Sequence, residues 1–203
     1  MTDIQHNPAI EETHPWDPYI PDNARVLIMG SFPPQPKRWS MDFYYPNRAN
    51  HFWYMMGLIF MGDRYALCNA DQRTFNLDAI RKLLDSKGIA LHDTCHVIRR
   101  LDGNASDENL EIVEPTDFGA LLARMPECST MVTTGTKAAS VLAKATSSKI
   151  PAMGAEVVVD SPFPASRSPL HIWRMPSTSQ RCRLTIDEKA AHYRRLLASV
   201  GIL

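Results

Sequence analysis

Arg25-Val-Leu-Ile-Met-Gly30, with Ser31-Phe-Pro-Pro34 directly behind it, is the stretch on which the fold turns. An unbroken apolar run stopped by glycine is the pattern of a strand buried on both faces, as in a sheet covered by helices. A strand with one wet face alternates apolar and polar residues instead. Two prolines follow Gly30 where a dinucleotide-binding plan would place a Gly-rich phosphate loop, which disfavours that plan. Ser31 to Asn50 is rich in Pro, Tyr and Asn and reads as a long loop. A loop of that length in a compact domain is generally functional.

Working outward, strands and helices alternate. His51 to Met61 is apolar and reads as a helix closed by a turn at Gly62-Asp63. Asn76 to Lys87 sets Leu77, Ile80, Leu83 and Leu84 on one helical face, with Gly88 beyond its end. Ile89 to Ile98 reads as a second strand interrupted by His92, Asp93 and Thr94, and Asp117 to Met125 as a short helix. Thr130 to Gly135 is a third strand, followed by a helix over Thr136 to Ala145. Glu156 to Asp160 and His171 to Met175 are further strands around the loop Ser161 to Pro169. The last helix, Asp187 to Val200, carries Ala190, Tyr193, Leu196 and Leu197 at helical spacing. Upstream, Pro8, Pro15, Pro18 and Pro21 make residues 1 to 24 an extended arm, which Trp16 and Tyr19 pack onto one domain spanning 25 to 203. The alternation implies a mostly parallel sheet covered on both faces, with its site beyond the carboxyl ends of the strands. The loops after Gly30, after Leu91 and after Arg174 leave strands there.

Composition bounds the function. The 203 residues suit one domain, and 44% apolar with 22% charged residues is ordinary for a globular chain. The longest apolar run, Phe52 to Met61, is far short of a membrane span, and the polar, proline-rich first twenty residues lack the apolar region of a signal peptide. The expectation is a cytoplasmic protein. Cys68, Cys95, Cys128 and Cys182 form no CxxC pair, which argues against a zinc ribbon, an iron–sulfur cluster or a disulfide framework. Lysine plus arginine balance aspartate plus glutamate at 22 each, so the net charge does not point to nucleic acid. The distribution is uneven. Arg167, Arg174, Arg181, Arg183, Lys189, Arg194 and Arg195 crowd the C-terminal part, whereas Gly103 to Cys128 is acidic. Taken alone these are solvated surfaces; together they allow a phosphate-binding face.

The two outer loops carry a resemblance. Gly30-Ser-Phe-Pro-Pro34 followed by Phe43-Tyr-Tyr-Pro-Asn-Arg-Ala-Asn-His-Phe-Trp53 resembles the first motif of the uracil-DNA glycosylase superfamily, in its hypoxanthine and mismatch-specific branches. There a strand ends in GxxP and N-x-F-W follows about twenty residues later. Met175-Pro-Ser-Thr-Ser-Gln180 resembles the second motif, and Thr133 to Ala139 the strand–Gly–helix segment between them. His92-Asp93 and Ser106-Asp107 are similar to connecting elements of the same branch, so the match runs from about Arg25 to Leu197. It implies a three-layer α/β/α domain with a central, mostly parallel four-stranded sheet. It further implies a monomeric, monofunctional DNA glycosylase that needs no metal or cofactor and takes DNA holding hypoxanthine or uracil.

Such an enzyme must unstack a nucleotide, hold the base by face and edge, and supply donors where negative charge develops on the leaving base. Tyr45, five residues before Asn50, matches the family's stacking aromatic; its other reading is an anchor for the loop. Asn50 matches the residue that orients water or reads the base, and also suits the N-cap of the following helix. Ser31 brings a hydroxyl and a backbone N–H beside the reacting bond, while Phe32 and Asn47 complete the base pocket. Ser177, Thr178 and Ser179 offer hydrogen bonds to flanking phosphates, and Gln180 or Arg181 fills the gap left in the duplex. Outside this context Pro-Ser-Thr-Ser is an ordinary polar turn. The chain departs from the pattern where better-known uracil enzymes carry Asp or Asn in the first motif, having Ser31 and Phe32 there, and the second motif has no His. Asp93 is an alternative base. These departures also admit a non-catalytic binder of damaged DNA or nucleobases on the same scaffold.

Overall fold

The computed structural model describes residues 10–101 and 109–203. Ser106-Asp107 and the first nine residues of the arm lie outside them. In chain order the elements are β1 (Glu11–Thr13), β2 (Val26–Gly30), α1 (Phe52–Met61), α2 (Leu77–Lys87), β3 (Ile89–Asp93), β4 (Cys95–Arg100) and β5 (Leu110–Pro115). These are followed by α3 (Phe118–Ala123), β6 (Thr130–Thr134), α4 (Thr136–Ala145), β7 (Ala155–Val159), β8 (Leu170–Met175) and α5 (Ile186–Ser199).

The central sheet runs β3-β2-β6-β8-β7. Its first four strands are parallel, as the unbroken apolar runs predict, and β7 adds a fifth, antiparallel strand to β8 at the edge. The sheet therefore has five strands where the resemblance implies four. Its two faces divide the side chains of β2 by alternation. Val26 and Ile28 join the core formed with α1, α2 and α5, and Leu27 and Met29 join the core formed with α3 and α4. That gives three layers, helix on sheet on helix.

The interruption at His92-Asp93-Thr94 is a junction rather than a kink. β3 ends there in the central sheet, and β4 begins a separate three-stranded antiparallel sheet with order β1-β4-β5. Thr94 donates its N–H and its hydroxyl to the Gly30 carbonyl, which fixes the crossing point. Neither β1 nor β5 shows in the sequence pattern, because each borrows its ladder from β4. Arg99 and Arg100 of β4 pair with Glu11 and Glu12 of β1, so charge reinforces that short ladder.

The helix ends follow local chemistry. Asn76 accepts the Ala79 N–H at the start of α2, and Thr185 with Glu188 closes a capping box at the start of α5. Among the described residues no helix is long and apolar enough to cross a membrane. Gly88 ends α2 with φ +63°, and its carbonyl accepts the Arg25 N–H that leads into β2. A Cβ there would collide with the Asn23 carbonyl. Gly88→Ala is expected to lower stability by about 1–3 kcal/mol through left-handed strain and overpacking. Thermal unfolding measures this, and an unchanged midpoint would contradict the placement of Gly88.

Candidate active site

The carboxyl ends of β2, β3, β6 and β8 meet at one place. Gly30, Asp93 and Thr134 line a cleft of about 370 Å³, together with the loop after β2 and the loop after β8. Ser31, Phe32, Tyr45, Asn47 and Asn50 come to it from the first loop; Ser177, Thr178, Ser179, Gln180 and Arg181 come from the last. Every site residue expected from the sequence thus stands in the same cleft. The site lies where an open parallel sheet is expected to hold it.

Tyr45 lies flat on Phe52, with ring centroids 3.8 Å apart and planes 17° apart. Phe52 is fully buried at the start of α1, so the tyrosine ring rests on the core. Its backbone is left-handed, φ +52°, which is uncommon for a bulky residue and marks a constrained position. Its hydroxyl meets the Thr134 hydroxyl at 3.3 Å. Burial pushes the phenol well above its ordinary pKa, so it stays neutral. The neighbouring rings have a different task. Phe43 and Tyr44 are buried in the core, and Trp53 donates to the Tyr44 carbonyl at 2.9 Å.

Asn50 combines its two readings. Its Oδ1 accepts the Phe52 N–H at 2.9 Å, so the side chain serves the start of α1 although His51 holds the formal cap position. That contact also fixes which end of the amide is oxygen. What remains for the cleft is the Nδ2 pair of donors and one lone pair of Oδ1. Asn47 is similar: its Oδ1 accepts the Ala49 N–H at 2.9 Å and shapes the turn. Phe32, half-buried, packs edge-on against His14 and lies beneath the Arg100 guanidinium. Ser31 is buried beside Gly30, and its carbonyl accepts the Cys95 N–H at 3.1 Å.

The loop after β8 is folded by its own hydroxyls. Ser177 Oγ accepts the Ser179 N–H at 3.3 Å, and Ser179 Oγ accepts the Arg181 N–H at 3.2 Å. With their oxygens accepting inward, the two O–H groups keep a proton to donate. Thr178 is buried and its carbonyl accepts the His51 N–H at 2.8 Å, which joins the two loops directly. Gln180 and Arg181 are exposed at the rim.

Among the groups at or beneath the cleft that escaped the sequence reading as contributors, three are buried ionisable side chains. The first is His14. The Gly30 N–H donates to Asp93 Oδ1 at 3.0 Å and His14 Nε2 donates to Oδ2 at 3.1 Å. Asp93 is thus held on the cleft floor by the arm on one side and the end of β2 on the other. His14 gave no signal, because it sits alone in a proline-rich segment. The second is Arg100, buried on β4, whose side chain donates to Glu12 at 2.7 Å and to the Pro33 carbonyl at 2.8 Å. The third is Lys189, which is fully buried. Its ammonium donates to the Ser179 carbonyl at 2.8 Å and meets His51 Nδ1 at 3.0 Å. Burial holds Lys189 below its ordinary pKa, and burial with the nearby ammonium does the same to His51. A neutral His51 accepting from Lys189 fits both. A visible signal existed here: Lys189 lies three residues after Ile186 and four before Tyr193, on the apolar face of α5. Among the described residues no group of three or more His, Cys, Asp and Glu side chains could hold a metal ion.

His92, next to Asp93, is kept neutral. Burial and the nearby His14 lower its pKa to about 4. Its Nδ1–H donates to the Tyr44 hydroxyl at 2.8 Å, which in turn donates to the Asp17 carbonyl at 2.9 Å. Below pH 6.5 the unfolded chain takes a proton that the folded one refuses. Stability is therefore lost as pH falls from about 6.5 toward about 4. His92→Asn keeps a donor but cannot titrate. The stability difference between wild type and variant is predicted to fall by roughly 3 kcal/mol over that window. Denaturant unfolding at stepped pH measures it, and a pH-independent difference would contradict it. Lys189→Met leaves the Ser179 carbonyl and His51 Nδ1 without their donor, for an expected loss of about 1–3 kcal/mol. It should also speed hydrogen exchange of the His51 amide, whereas unchanged exchange would show that Lys189 does not join the loops.

No protein-family model and no curated protein matches this chain. Among solved structures, it is similar to the solution NMR structure of a candidate uracil DNA glycosylase from Methanosarcina acetivorans. The TM-score is 0.61 at 18% sequence identity, over 94% of this chain and 99% of that one. At that identity the likeness is one of fold: the chain has the uracil-DNA-glycosylase-like α/β/α architecture.

Proposed function

We propose that the cleft is the active site of a monofunctional DNA glycosylase of the uracil-DNA glycosylase superfamily. It extrudes a deaminated base, hypoxanthine or uracil, and hydrolyses its glycosidic bond. One observation carries the reading: Tyr45 and Asn50 from the first loop, Asp93 from β3, and Ser177 to Ser179 from the last loop line a single cleft.

Each part suits a step of that chemistry. Extruding a nucleotide costs a few kcal/mol, least for a mismatched or damaged base. Stacking on an aromatic platform returns about 1–3 kcal/mol. Tyr45 is a firm platform because Phe52 backs it. As the bond breaks, negative charge gathers on the base, and the Asn50 Nδ2 donors and the neutral donors around Ser31 answer it. Positive charge gathers on the sugar. The first motif lacks a carboxylate to answer that charge, and Asp93 brings one to the cleft from the next strand. With one hydrogen bond on each oxygen, Asp93 keeps lone pairs for the sugar or for a water. The Ser177 and Ser179 hydroxyls donate to phosphates beside the extruded nucleotide, and Gln180 or Arg181 enters the gap in the duplex. Among the described residues no lysine lines the cleft, which fits direct hydrolysis rather than a Schiff base.

Incubating the protein with labelled duplexes that hold one hypoxanthine or one uracil, followed by alkali, tests this. Breaks at the target base are expected, with single-turnover rates lowered about 100-fold or more in Asn50→Ala. Binding of both duplexes without breaks at excess protein would replace the enzyme by a non-catalytic binder.

A further inference from the structure

Beside the cleft lies a second, open depression of about 480 Å³. The two adjoin, since Ala49 and Gln180 belong to the walls of both. Arg48, Arg64 and Arg73 line this second depression, with Asp71 as the one carboxylate in its wall among the described residues. Arg38 and Arg181 stand at the first cleft, where the single carboxylate among the described residues, Asp93, is buried. Among the described residues, arginine therefore outnumbers carboxylate five to two across both depressions. The five come from three segments, the loop after β2, the connection from α1 to α2 and the loop after β8, and form no basic run in the sequence.

The surroundings of these arginines leave them able to bind. Arg48 spends one donor on the Gln72 carbonyl at 2.6 Å, which fixes its place and leaves further N–H groups. Arg64 meets Asp187 at 3.6 Å with both side chains substantially exposed, a pairing of the kind that contributes little and yields to a better partner. Arg73 is exposed, and Asp71 beside it accepts the Arg73 backbone N–H. Guanidinium groups bind phosphate oxygens in bidentate fashion, so the residue type suits phosphate. The depression is open rather than enclosed and continues from the cleft, which suits a chain of phosphates better than one small anion.

We infer that the Arg48–Arg64–Arg73 depression carries the phosphates of the strand that flanks the extruded nucleotide. This rests on the glycosylase reading of the cleft. A strand whose nucleotide enters over Tyr45 crosses the ridge at Ala49 and Gln180 and runs onto the three arginines. The basic residues of the C-terminal region then contribute through Arg181 alone at this face; Arg167, for instance, pairs with Glu127 at 2.9 Å and lines neither depression.

The test is fluorescence anisotropy with a labelled duplex containing one tetrahydrofuran abasic analogue, between 50 and 200 mM NaCl. Arg64→Glu/Arg73→Glu leaves the Arg48–Gln72 hydrogen bond intact, and Arg64→Lys/Arg73→Lys keeps both charges and controls for folding. The glutamate pair is expected to bind at least ten-fold more weakly at low salt. Its log–log salt slope should be shallower by about 2, near 0.9 for each phosphate that is no longer neutralised. The lysine pair and Arg167→Gln are expected to keep the wild-type slope. If the glutamate pair matches wild type in affinity and slope while wild type still cuts its duplex, this inference falls and the glycosylase reading stands. If wild type binds no duplex at any of these salts, both fall together.

Discussion

A carboxylate buried at the end of a parallel strand has to be satisfied, and at Asp93 that requirement organises the site. Its Oδ1 takes the Gly30 N–H, so the ends of β3 and β2 are drawn together so closely that a Cβ on Gly30 would lie 2.7 Å from the carboxylate. Its Oδ2 takes His14, so the arm is drawn in as well. The loop after β2 must therefore leave the sheet at one point and in one direction. On the far side Lys189 applies the same logic with opposite charge. A buried ammonium needs acceptors, and it finds them in the Ser179 carbonyl and His51 Nδ1, one from each loop. Two buried charges hold the two halves of the cleft from opposite sides.

The pattern of the sequence shows the layers plainly because burial on both faces leaves an unmistakable trace. Val26 to Met29 and Thr130 to Thr134 are fully buried strands, and the helical spacing of α2, α4 and α5 matches their observed extents closely. What escapes is what depends on partners far along the chain. β1 and β5 have no pattern of their own, since each is made by pairing with β4. The junction at Thr94 divides an apparently continuous strand between two sheets, and nothing local distinguishes that from a bulge.

The site divides the same way. Residues carried by the two motif-bearing loops are legible, and all of them reach the cleft. Their mode of support is not. That Asn50 gives its oxygen to Phe52 and keeps its donors for the cleft is a matter of geometry. So is the Tyr45 ring lying flat on a buried phenylalanine. His14 acts across 79 residues, and Lys189 across 138 to reach His51, distances over which a sequence carries no spacing signal. The first motif carries no carboxylate, and one reaches the same cleft from the neighbouring strand, as Asp93.

If the cleft is a receptacle for an extruded base, a trapped complex must show the base inside it. A crystal structure with a duplex whose target deoxyuridine or deoxyinosine carries a 2′-fluorine, which slows cleavage by destabilising a cationic sugar, tests that most directly. The predicted result is a base turned out of the duplex onto the outer face of Tyr45, its sugar over Asp93 and its phosphates at Ser177 and Ser179. A target base still stacked in the duplex, or DNA bound away from this cleft, would contradict it.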